Sequence, residues 1–347
     1  MDAIGRIRKL NHKGFAVVYI ALMIVVLVAF VSLAVDLGYM YVAKGQLQNA
    51  SDAAALAGAA QLPNKTNVRV QAKLFAEKNN AAGEAVKIDL NDTNSLDGDI
   101  VVGYWKDSTF SNTVPSGKIS NAVKVVARRT SETGTGISED NKPVTLFFGN
   151  VIGWDKMGAK ADAIACRPPK PAGPIVLCLD ICSKPVPFKV YFNQTIAKDP
   201  SGNLDGTYTV GWTEFSATSK ATNLGPNSDV AKLIDGRKDI PFDLCGQTLW
   251  TNNGLGNAIQ TLHDTFQRDK NPSTGKWTIL VPIFEYCPSS LSSTESFTTL
   301  VKYAEITISD VKIPGGGSGE AYVDIENIAC EACETTNFLG DKAILVK

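Results

Sequence analysis

Residues 15–35 read FAVVYIALMIVVLVAFVSLAV, 21 positions without one charged side chain. As a helix this run is about 31 Å long at 1.5 Å per residue, matching a bilayer core of about 30 Å. A soluble core helix of that length would carry a polar face, and this one carries none. A cleaved signal peptide shares the pattern of a basic flank and an apolar run. Its apolar core is shorter, however, and an A-x-A-like site would follow. Here Asp36-Leu-Gly-Tyr-Met-Tyr follows instead, with two tyrosines suited to a membrane interface. Arg6, Arg8, Lys9 and Lys13 precede the run against Asp2 alone. The excess of positive charge predicts a cytoplasmic segment 1–14, a transmembrane helix 15–35 and everything after Asp36 outside the cytoplasm.

Beyond the interface, VAKGQLQNASDAAALAGAAQ is rich in alanine and free of proline until Pro63, so one helix is expected from Phe15 to Gln61. Leu47, Ala50, Ala54, Ala57 and Gln61 fall on one stripe of it; Ala53, Leu56 and Ala60 form a second stripe nearly opposite. Two apolar stripes predict burial on both sides. One side would pack on the chain's own sheet and the other on a partner helix, with alanine allowing close approach.

The segment KGFAVVYIALMIVVLVAFVSLAVDLGYMYVAKGQLQNASDAAALAGAAQL resembles the N-terminal region of Tad (tight adherence, Flp pilus) assembly proteins of the TadG-like branch. Gly14, Ala34-Val35-Asp36-Leu-Gly and the run Leu47–Gly58 carry the likeness. A looser similarity extends through Asp99-Ile-Val-Val-Gly-Tyr-Trp, Asn121–Thr130 and Pro143-Val-Thr-Leu-Phe-Phe-Gly. The resemblance implies a bacterial inner-membrane, non-enzymatic component of a pilus-building or secretion apparatus, with other assembly proteins as partners. Related pseudopilins are cut after a glycine and carry glutamate at the fifth residue beyond it. Tyr19 stands there in this chain, so residues 1–14 are expected to stay attached.

The fold class expected is α+β: a long N-terminal helix, a pilin-like unit over 62–166, a proline-rich linker at 167–173 and a β-rich domain over 174–347. In the first unit a short helix is expected around Val68–Asn79, with Val70, Leu74 and Phe75 on its apolar face. Strands are expected at Ala85–Leu90, Ile100–Trp105, Ala122–Arg128, Val144–Phe148 and Ala159–Cys166, paired antiparallel because the connections are short. Arg167-Pro-Pro-Lys-Pro-Ala-Gly-Pro reads as a semi-rigid spacer. Beyond it, strands are expected at Ile175–Asp180, Lys189–Ile196, Thr207–Phe215, Thr278–Tyr286, Leu300–Ile313 and Ala321–Ile328. Helices are expected at Asp229–Asp235 and Gly254–Phe266, with Leu255, Ile259, Leu262 and Phe266 on one face.

A degenerate von Willebrand A-like domain is one reading of the second domain, since many TadG-like proteins carry that module. Its metal site would need Asp-x-Ser-x-Ser after the first strand. Asp180-Ile-Cys-Ser-Lys offers a poor ligand and a positive charge instead. Cys178, Cys182, Cys245, Cys287, Cys330 and Cys333 are disulfide candidates in an oxidising compartment. The pairs Cys178-x₃-Cys182 and Cys330-x₂-Cys333 leave a zinc clamp open, and Cys330-Glu-Ala-Cys333 a redox motif. With seven cysteines one is left over, and Cys166 stands apart. Pro314-Gly-Gly-Gly-Ser-Gly319 lacks the lysine of a phosphate loop and reads as a connection. Only His12 and His263 occur, and no Gly-x-Ser-x-Gly, so no catalytic constellation, metal or cofactor is implied. A net charge of −1 argues against nucleic acid as a partner. The leading expectation is a structural component anchored in the lipid bilayer. The alternative is an adhesin-like surface or periplasmic module binding an extracellular protein or glycan.

Overall fold

The computed structural model describes residues 13–192, 208–218, 224–238, 240–241, 244–252, 257–285, 296–313, 321–333 and 338–347. His12, Gly254, Leu255, Tyr286, Cys287, the 193–196 end of one expected strand and the glycine-rich 314–319 connection lie outside them. The chain is α+β and divides into two compact units. The first comprises Met1–Thr113, Ser120–Arg167 and Asp341–Lys347; the second comprises Val114–Ile119 and Pro168–Gly340.

In the first unit, α1 runs unbroken over Lys13–Ala59, about 70 Å at 1.5 Å per residue. It stops near the expected Gln61, and a buried side chain receives its end: the Arg167 guanidinium donates to the carbonyls of Leu62 (2.6 Å) and Ala60 (3.4 Å). A cation at a helix C-terminus satisfies carbonyls that have no intrahelical donor. Asn64 then starts α2, Lys65–Glu77, its side-chain oxygen accepting from Asn67 N at 3.0 Å. The face of α2 differs from expectation. Val70, Leu74 and Phe75 are exposed, and Val68, Arg69, Ala72 and Ala76 are buried. The reason is proximity to α1: a Cβ on Gly58 would lie 3.2 Å from the Ala72 Cβ. Helices this close meet through small side chains, so the bulkier residues turn outward.

A short hairpin, β1 (Asn80–Ala81) and β2 (Glu84–Ala85), follows α2. The expected strand Ala85–Leu90 does not continue from it. Val86 N closes the hairpin by donating to Asn79 O, and beyond it Asp89 N donates to the Asp99 carboxylate in place of a strand partner. The main strands are β3 (Ile100–Lys106), β4 (Thr109–Ser111), β5 (Ala122–Arg129) and, after the two-rung hairpin β6 (Val144–Thr145) and β7 (Lys156–Met157), β8 (Ala159–Cys166). With the C-terminal strand Ile344–Leu345 on one edge they form an antiparallel sheet in the order C-terminal strand, β8, β5, β3, β4. The last residues therefore return to the first unit, whereas the sequence reading placed everything beyond 174 in the second.

The second unit is β-rich. Its strands are β9 (Ile175–Cys178), β10 (Phe188–Phe192), β11 (Tyr208–Thr213), β12 (Thr248–Asn252), β13 (Trp277–Phe284), β14 (Ser296–Lys312) and β15 (Tyr322–Ala332). Around the sheet β10 pairs β15, β15 pairs β14, β14 pairs β13, β13 pairs β9, β9 pairs β11, and β11 pairs β10 again. The ladder thus closes on itself and buries strand edges that would otherwise invite pairing with other chains. Most pairings are antiparallel; β10–β11 and β13–β9 are parallel. That arrangement does not support the von Willebrand A-like reading, which calls for a parallel sheet. Phe192 and Trp212 stack at 4.7 Å in the core. Ile259, Leu262 and Phe266 of α4 (Ala258–Asp269) pack into the same cluster, as do Val230 and Ile234 of α3 (Asp229–Ile234). Residues 168–173 are no free spacer. Gly173 N donates to Leu280 O and Lys170 N to Phe338 O, fixing the proline-rich stretch to this unit.

Candidate functional site

The sequence places the features that matter for function along α1, and the structure divides that helix in two. Over the apolar run the side chains are exposed, from Phe15 (64%) to Leu33 (50%) and Val35 (43%). This helix is long and apolar enough to cross a membrane. Burial begins at Asp36. Its carboxylate accepts from Phe147 N at 2.8 Å and from Phe148 N at 3.2 Å, charge-assisted bonds that tie the end of the apolar run to the β6–β7 hairpin. Those two amides are the reason the expected strand Val144–Phe148 stops at Thr145.

Beyond Asp36, Ala43, Leu47, Ala50, Ser51, Ala54, Ala55, Gly58 and Ala59 are buried against the sheet and α2. Of the first expected stripe, Leu47, Ala50 and Ala54 are buried, Ala57 is half-buried and Gln61 exposed. Of the second, Ala53 and Leu56 are half-buried and Ala60 is exposed. The chain's own packing therefore uses two adjacent stripes and covers the Ala53–Leu56–Ala60 side only in part. Ser51, Ala55 and Ala59, outside both expected stripes, face the interior because α2 and the sheet together subtend a wider arc than one surface would.

Beneath the helix, a buried ion-pair network organises the loops. Arg128 Nε donates to Asp99 at 2.7 Å and its Nη1 reaches Glu132 at 2.7 Å. Asp99 also accepts from Asp89 N and Ser138 N. Burial pushes the Asp99 carboxyl up from its ordinary value, although these donors oppose the shift. Hydrogen bonds from Arg128 and Lys160 hold Glu132 below the usual carboxylate range. No sequence pattern joins Asp99 to Arg128; they meet because β3 and β5 are neighbours.

In the second unit Cys182 is bonded to Cys330 and Cys245 to Cys333. Cys178 is disulfide-bonded as well. Cys330 and Cys333 thus have different partners, which leaves neither the zinc clamp nor the Cys330–Cys333 redox pair. Cys166 is a free thiol buried on β8, its pKa pushed up by that burial. His263 lies on the surface of α4 beside Asp264, 3.2 Å away. Among the described residues no three His, Cys, Asp or Glu side chains gather as a metal site.

Two family models match adjoining stretches of the sequence. Residues 14–61 match the model described as Flp pilus-assembly TadE/G-like, and residues 57–165 match the Tad-like Flp pilus-assembly model Tad_C. Residues 14–165 are thus similar to Tad/Flp pilus-assembly proteins. The first Tad match covers the apolar run, Asp36 and the buried alanine stripe; the second covers α2 and the sheet through β8. Both end before the disulfide-bonded unit. No curated protein and no solved structure matches the chain.

Proposed function

We propose that this protein is a structural, non-enzymatic component of a Tad-type pilus-assembly or secretion system, held in the bacterial inner membrane by the apolar half of α1. Its N-terminus is cytoplasmic and both folded units are extracytoplasmic. The observation that carries this reading is the change along one continuous helix, from exposed uncharged residues through Val35 to a buried Asp36 and, from Ala43 on, a buried stripe of mostly small residues. Water would not tolerate the first half bare, because about 25 cal/mol of unfavourable free energy attaches to each Å² of exposed apolar surface. The disulfides fit an oxidising compartment for the second unit. The partly covered Ala53–Leu56–Ala60 side at the end of α1 is the surface for a helix of another assembly protein.

Protease applied to intact spheroplasts tests the orientation. Both units should be digested from outside, leaving a short membrane-bound fragment. Protection of residues beyond Asp36 until lysis would overturn it.

A further inference from the structure

Apart from the apolar run of α1, the first unit carries a concentrated group of exposed large apolar side chains on one loop. Between β6 and β7, Phe147 is 64%, Val151 84% and Trp154 66% exposed, with Phe148 beside them at 42%. Patches of this kind on a folded surface mark a contact. The loop is internally bonded. Leu146 N donates to Asp155 O and Trp154 N to Gly149 O, both at 2.9 Å, around a short 3₁₀ turn at Gly149–Ile152. Two glycines make that geometry accessible. A Cβ on Gly149 would lie 2.0 Å from the Trp154 carbonyl, and Gly153 has φ +83°. The backbone thus holds these side chains outward, although the interior of the unit lies close by.

The position of the loop identifies what they meet. It is fastened to α1 at Asp36, the first charged residue after the apolar run, and the Phe147 ring packs edge-on against Tyr39 at 4.9 Å. If residues 15–35 fill the hydrocarbon core, residues 36–40 climb about 6 Å further. The polar interfacial layer on each side of a bilayer is roughly 5–8 Å thick. The loop is therefore bonded to the part of the helix that crosses this layer, where aromatic side chains are enriched.

We propose that residues 146–155 form a second membrane contact, with Phe147, Phe148, Val151 and Trp154 seated in the interfacial layer of the outer leaflet. Two points of attachment fix the orientation of the first unit, where a lone helix would let it swivel. The proposal rests on α1 spanning the bilayer, and the test separates the two. The full-length chain is reconstituted in phosphatidylethanolamine–phosphatidylglycerol vesicles with photoreactive benzoylphenylalanine at Val151 or, separately, at Leu27. Phospholipid adducts at both positions are expected. Adducts at Leu27 but not at Val151, or a protein adduct at Val151, would overturn the loop contact and leave the anchor standing. Lipid adducts at neither would remove the anchor and the loop contact together. In vesicles of brominated lipid, Trp154→Phe should abolish most of the tryptophan quenching seen in the unsubstituted chain. Undiminished quenching would also overturn the contact.

Discussion

At the level of single residues, Arg128 and Asp99 show how a buried charge shapes the first unit. Asp99 is fully buried, and its carboxylate orders three segments by accepting from Arg128, Asp89 N and Ser138 N. Removing the guanidinium leaves a buried carboxylate short of its partner, and breaking such a pair costs about 3–5 kcal/mol. Arg128→Met should lower the stability of the detergent-purified chain by that order at neutral pH. The sign of the pH dependence follows from the shifts. Asp99 has a raised folded pKa, so its contribution is greatest below the ordinary carboxylate value and is lost as pH rises through the folded value. Without Arg128 that pKa climbs further, and protonation relieves the variant on acidification. Glu132, depressed by Arg128 and Lys160, gives stability to the unsubstituted chain that is lost as pH falls. Both effects narrow the gap between the two proteins at low pH. Thermal unfolding across the acid range checks this; a deficit independent of pH would mean that packing of the arginine stem, not its charge, carries the loss.

At the level of elements, α1 is asked to satisfy two surroundings beyond the membrane, its own unit and a partner. Ala54 is fully buried, and Ala60, one residue past the end of the helix, is exposed on another side. Ala54→Leu forces extra methylenes into a filled space and should cost about 1–3 kcal/mol. Ala60→Leu should leave thermal unfolding unchanged and weaken co-purification with other pilus-assembly proteins. Equal destabilisation by both would refute the division of faces, and intact co-purification for Ala60→Leu would refute the partner contact. The helix itself was legible in the sequence, because an uncharged run followed by alanine leaves few other outcomes. So were β3, β5 and β8, each a short run dominated by valine, isoleucine or alanine between turn residues. The face of α2 was not, since hydrophobicity selects Val70, Leu74 and Phe75 while close approach to Gly58 selects Ala72. Asp36 could be seen as a lone carboxylate at a boundary, but its acceptors' role became visible only with Phe147 and Phe148 beside it. The expected strand at 85–90 failed for a related reason: the amide of Asp89 is taken by the side chain of Asp99, which no local period announces.

At the level of the whole molecule, the two units are stabilised by different means. The first relies on a small-residue helix seam and a buried ion pair, with Cys166 a free buried thiol. The second closes its sheet and adds covalent ties between distant segments. Cys182–Cys330 spans 148 positions and joins the 3₁₀ turn after β9 to β15; Cys245–Cys333 spans 88 and joins the segment before β12 to the residue just after β15. Crosslinks of long span restrict the unfolded chain most, and each is worth about 2–4 kcal/mol. The first unit's described elements contain no such tie. Reduction should therefore act on one unit alone. The double substitution Cys245→Ser with Cys333→Ser should lower the unfolding temperature of the second unit, followed through the near-ultraviolet signal of its core tryptophans Trp212 and Trp277. Unfolding of the first unit, followed through proteolysis between β5 and β8, should be unchanged. Both cysteines of the pair must be replaced together, because a single substitution leaves a thiol free to attack Cys182–Cys330 and confuses lost stability with rearrangement. A first unit that loosens to the same extent would show that the two unfold as one body, and independence inferred from their different means of stabilisation would be wrong.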